Sequence, residues 1–64
     1  MRTFKRKLNM RDFADLADVT NETEQGMIVV SRCLDIPLAE VEQMQAAEFK
    51  ESTEIVTANN GSGS

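Results

Sequence analysis

Three aspartates, Asp12, Asp15 and Asp18, stand three residues apart. On a helix this spacing lines up carboxylates that could hold a hard cation or act as an acid–base pair. The glycine and closing glutamate of a calcium loop are missing, and there is no Tyr or Trp to stack a sugar. The three therefore read as a solvated face. Cys33 is the only cysteine and the chain has no histidine. A disulfide framework, a zinc site with imidazole ligands and a Ser-His-Asp arrangement are all excluded. Cys33 falls between Val30 and Leu34 on the apolar side of a helical stretch, so it reads as a buried, inert thiol. No metal, cofactor or catalytic residue is expected, and an enzyme is the least favoured class of function.

The chain has 64 residues and a hydrophobic fraction of 41%. Beyond Met1, the larger apolar side chains are three Phe, three Met, four Leu, three Ile, five Val and the single Cys. So small a supply supports one modest core. Chains of this size usually need a metal, a disulfide, an unusually good core or a partner. A disulfide is excluded and no metal is expected, which turns attention to the partner. Self-association is expected for the same reason. Met10, Met27 and Met44 read first as core fillers; together they would also make an adaptable surface for a partner segment. No apolar run approaches the roughly 20 residues that span a bilayer, and no signal peptide is read at the start. A soluble helical module of cytoplasmic type is expected.

Charge is unevenly distributed. Residues 1–11 carry Arg2, Lys5, Arg6, Lys7 and Arg11 without an acid, a balance of +5. Residues 12–64 carry Arg32 and Lys50 against eleven acids, a balance of −9. A basic arm on an acidic body could contact nucleic acid, dock on a neighbouring copy or remain solvated. The acidic body would repel phosphate, which disfavours nucleic acid.

Residues 1–8 read as an extended arm, with Phe4, Arg6 and Leu8 on one side; the same Phe4–Leu8 spacing also suits a helix. Asn9 is a candidate N-cap with Asp12 three positions on, opening a first helix over about 10–18. Met10, Phe13, Leu16 and Ala17 recur in it at helical spacing. Asn21 with Glu24, or else Thr23, caps a second helix that runs to about Leu34. Met27, Val30 and Leu34 form its stripe, widened by Ile28, Val29 and Cys33, as suits the central helix. Gly26 in its first turns either lets another helix approach or reflects fraying. Asp35-Ile36-Pro37 breaks the pattern. Leu38, Val41 and Met44 mark a third helix over about 38–44. Ala46, Phe49, Thr53 and Val56 share a face of a fourth over about 46–57, which could be continuous with the third. Residues 59–64 read as a flexible Gly/Ser linker or expression remnant. The fold class is thus all-α: a small bundle of three to four short helices over residues 9–58, with an extended basic N-terminal arm.

The segment Val30–Met44 resembles a helix-turn-helix. Its second helix offers Leu38, Ala39, Glu40, Glu42 and Gln43 without one Lys or Arg, a poor surface for phosphates or base edges. A small regulator or inhibitor acting on nucleic acid, or on an enzyme that handles it, is the alternative function.

The order of elements carries a second resemblance. A short basic arm leads into Asn9-Met10-Arg11-Asp12-Phe13. The second helix ends in Val30-Ser31-Arg32-Cys33-Leu34. Ile36-Pro37-Leu38-Ala39-Glu40-Val41 follows, then a last amphipathic helix around Phe49. Over about residues 4–57 the chain resembles the tail assembly chaperones of long-tailed bacteriophages. Asp35 stands where that family often has Gly, and the arm is more basic than usual. The resemblance implies a protein without enzymatic activity that binds the tape measure protein and keeps it soluble while the tail is built. It also implies possible recruitment of the tail tube protein, rings or spirals of copies, a longer frameshifted product, and residence in the host cytoplasm but not in the mature virion. Candidate partner-contact residues are Phe4, Leu8, Met27, Val30, Leu34, Leu38, Val41, Met44, Phe49 and Ile55.

Overall fold

The computed structural model describes residues 3–59. It contains α1 (Met10–Ala17), α2 (Glu22–Leu34), α3 (Leu38–Glu42) and α4 (Ala46–Asn59). No strand occurs among the described residues. The fold is a small all-α bundle. Residues 3–9 have no regular secondary structure, and the part of the tail beyond Asn59 lies outside the described residues.

Local chemistry sets most of the helix ends. The Asn9 side chain accepts from the Asp12 backbone N–H at 3.0 Å, and the Asp12 carboxylate accepts in return from the Asn9 backbone N–H at 2.9 Å. This reciprocal capping box satisfies two donors that a helix start would leave bare. Asn21, rather than Thr23, caps α2 by accepting from the Glu24 N–H at 3.1 Å. At the other end Asp35 takes a left-handed conformation, with φ 55° and ψ 52°. The Ile36 N–H then reaches back to the Ser31 carbonyl at 3.1 Å, while the Ser31 hydroxyl donates to the Ile36 carbonyl at 2.7 Å. A non-glycine residue in this conformation is uncommon, and Asp is among those that tolerate it best. Pro37 starts α3, which stops at Glu42. Helices α3 and α4 are therefore separate, joined by a turn at residues 43–45.

Helix α2 is central and packs against each of the other three. Its Val30, Cys33 and Leu34 form the buried core with Val41 of α3 and Val56 of α4. Phe4, Leu8, Met27, Val29, Ile36, Met44, Phe49 and Ile55 close around it, partly buried. On α4 the buried stripe is Ser52 and Val56, flanked by Phe49 and Ile55, whereas Thr53 points outward. Ser52 tolerates burial because its hydroxyl donates to the Glu48 carbonyl at 3.0 Å.

The absent side chain of Gly26 makes room for α4. A Cβ placed there would stand 3.3 Å from Phe49 Cζ, tighter than an ordinary contact. Gly26→Leu is expected to push the ring aside and lower stability by roughly 1–3 kcal/mol, as overpacking does. Urea unfolding of Gly26→Leu, Phe49→Ala and the double variant checks the cause. Through this contact the double variant should lose less than the two single losses added; strict additivity would place the effect elsewhere.

Candidate interaction surface

The N-terminal arm folds back over the end of α2. Backbone N–H groups of Lys5 and Arg6 both donate to the Cys33 carbonyl, at 2.8 and 3.2 Å. That carbonyl is one of those a helix C-terminus leaves without an intrahelical partner. The basic arm also suits the negative end of the helix dipole. Phe4 and Leu8 on this arm lie against the core.

Asp12 is the node of the arrangement and is only 1% exposed. Arg6 grips it with two nitrogens, Nη1 at 2.7 Å from Oδ2 and Nη2 at 3.2 Å from Oδ1. Arg32 Nη1 donates to Oδ1 at 2.7 Å, and the Asn9 N–H supplies the remaining bond. Arg32 Nη2 reaches on to Asp15 at 3.0 Å, while Arg11 lies 3.6 Å from the other Asp15 oxygen. The paired Arg6 hydrogen bond, followed by that of the Asn9 backbone, holds the Asp12 carboxyl well below the usual carboxylate range, against the opposing effect of burial. With four N–H donors on its two oxygens, the carboxylate has no lone pair left for a metal ion.

Here the structure corrects the reading of the acidic face. Asp12 is buried, Asp15 is partly covered and only Asp18 of the three is exposed. The arm docks on its own domain through Arg6, which is tied to Asp12, while Lys5 and Lys7 are exposed. What was missed was the pairing across the first helix start. One signal for it was present: Arg32 stands alone among acids inside the most apolar stretch of the chain. A cation there needs a carboxylate from another element.

Drawing Asp12 inward turns α1 over. Met10, Phe13, Ala14 and Ala17 fall at i, i+3, i+4 and i+7, one stripe of a helix. All four are exposed, Met10 at 79% and Phe13 at 52%. Met10 is therefore not a core filler. Of the apolar residues on this helix, only Leu16 is partly covered.

A second apolar surface lies between α2 and α3. Met27, Ile28 and Leu38 line a recess of about 160 Å³ with Glu24 and Glu42. Leu38 is 40% exposed. Of the candidate partner-contact residues, Val30, Leu34 and Val41 are buried in the chain's own core. Phe4, Leu8, Met27, Met44, Phe49 and Ile55 are partly covered, and Leu38 is open. Met27 and Leu38 meet at the recess; as a partner contact Met10 enters only with Met27 and Met44, as an adaptable methionine surface, and Phe13 and Ile28 were not among the candidates. No protein-family model, curated protein or solved structure matches the chain. No helix among the described residues is long and apolar enough to cross a membrane.

The Asp12 node has a pH signature. A carboxyl held below its unfolded value stabilises the fold at pH values above the ordinary carboxylate pKa of about 3.9, and this contribution fades as pH falls through the folded value. Asp12→Asn should unfold at lower urea concentration than the parent at pH 7, with faster hydrogen exchange at the Lys5 and Arg6 amides. The gap in urea midpoint should narrow progressively below about pH 4. A gap that stays constant from pH 7 into strong acid would show that charge on Asp12 is not the cause.

Proposed function

We propose that this chain is a tail assembly chaperone of a long-tailed bacteriophage. It binds the tape measure protein and keeps it soluble while the tail is assembled. It acts by protein–protein contact, without catalysis or a cofactor, in the host cytoplasm, and it leaves before the virion is mature. Self-association and contact with the tail tube protein belong to the same role.

The exposed apolar stripe of α1 carries this reading on the structural side. A soluble helix normally turns its apolar stripe to the core. Here Met10 and Phe13 face outward on a helix whose inner side is tied down by ion pairs. Covering each such side chain is favourable by about 1.5–3 kcal/mol, and a partner's amphipathic helix can supply the cover. The surrounding acidic body supports solubility in the bound state. The order of sequence elements from Asn9 to Phe49 supports the specific phage role. The helix-turn-helix alternative draws no support from α3, where Leu38, Ala39, Glu40 and Glu42 are exposed without a cation among them.

Co-expression with the long helical tape measure protein tests the role. The parent chain should raise the soluble fraction of that client several-fold. Met10→Glu with Phe13→Glu should abolish the effect while leaving the urea midpoint nearly unchanged, because both sites are exposed. A client that remains insoluble with the parent chain would count against the chaperone role. Full rescue by the doubly substituted chain would remove α1 from it.

A further inference from the structure

The recess between α2 and α3 is separate from the α1 stripe in composition and charge. Three apolar side chains, Met27, Ile28 and Leu38, form its walls, and two carboxylates, Glu24 and Glu42, stand on it from different helices. The volume of about 160 Å³ suits one bulky side chain, since a cavity of about 150 Å³ accommodates a benzene ring. Met27 lets the walls adjust to aliphatic or aromatic occupants alike. Among the described residues neither Glu24 nor Glu42 has an ion-pair partner. An apolar pit between two unpaired carboxylates complements an apolar anchor with cations on either side.

We propose that this recess receives a basic amphipathic helix of a partner protein. One Leu, Met or Phe of that helix enters the pit, and a Lys or Arg about one turn away on each side meets Glu24 and Glu42. The mode is a helix seated in a groove, with affinity from the buried anchor and selectivity from the charged rim. The assignment deepens the chaperone reading and rests on it only for the presence of a helical client. It adds where such a client is held and which of its segments are chosen: those whose apolar face is bordered by positive charge.

The test uses the full chain, methyl-labelled at Met, Ile and Leu, and two short helical peptides. One carries leucines at i, i+3 and i+4 bordered by lysines; its twin has glutamates in place of the lysines. The lysine peptide should shift the Met27, Ile28 and Leu38 methyl signals in a saturable way. The glutamate twin should bind about threefold to tenfold more weakly, a gap of the size that two partly exposed ion pairs produce. The gap should shrink as salt is raised. Glu24→Lys with Glu42→Lys should reverse the preference. Equal binding of both peptides, or shifts confined to Met10 and other sites outside the recess, would overturn the assignment. So would movement of the same three methyl signals on dilution of the chain alone, which would make a second copy the occupant. The two proposals fail separately. Client rescue undiminished in the Glu24→Lys, Glu42→Lys chain would leave the chaperone standing without the recess. Peptide binding with no rescue by the parent would leave the recess standing without the chaperone.

Discussion

One buried carboxylate holds this small fold in its particular arrangement. Asp12 receives Arg6 from the arm, Arg32 from α2 and the backbone of its own helix cap. Three segments remote in sequence or type thus share two oxygen atoms. A carboxylate so completely supplied with donors can sit inside a protein; stripped of either arginine it would be a costly buried charge. The same bonds decide how α1 lies. Rolled the other way, the helix would bury Phe13 and Met10 but pull Asp12 from both arginines. With Asp12 inward, the apolar stripe is left at the surface.

That choice links stability to binding. Among the described residues the core is five buried apolar side chains with a partly covered ring around them, which is little for a free-standing domain. The chain holds itself together with polar bonds at the arm and with apolar contacts around α2. Part of its hydrophobic surface remains outside, on α1 and at the α2–α3 recess. Covering that surface on association would add to the stability of the complex by mass action. Such a division is what the proposed protein-binding role requires.

The helices were largely legible in the sequence because their ends depend on neighbours in the chain. Asn9 and Asn21 mark starts, and Asp35-Ile36-Pro37 marks a stop, through contacts within a few residues. The central place of α2 was legible too, from the breadth of its apolar surface. Gly26 left close approach and fraying equally open, and nothing in the sequence named Phe49 as the ring that comes close. The orientation of α1 was not legible. Periodicity says that a helix has two faces; which face turns inward depends on what the rest of the chain offers. Here that is Arg32, twenty residues from Asp12, and an arm that doubles back. On α4 the faces were set by the same kind of distant packing, so Ser52 took the inner position that apolar spacing had given to Thr53.

Solvent access at the Met10 methyl group is the most direct measurement of this arrangement. A soluble gadolinium chelate relaxes methyl signals according to their exposure, and Met27 and Met44 serve as internal standards. In dilute solution of the parent chain, the Met10 signal should be relaxed most strongly of the three. A Met10 methyl as protected as that of Met44 under those conditions would mean that α1 lies with its apolar stripe inward, contrary to an orientation set by the Asp12 carboxylate.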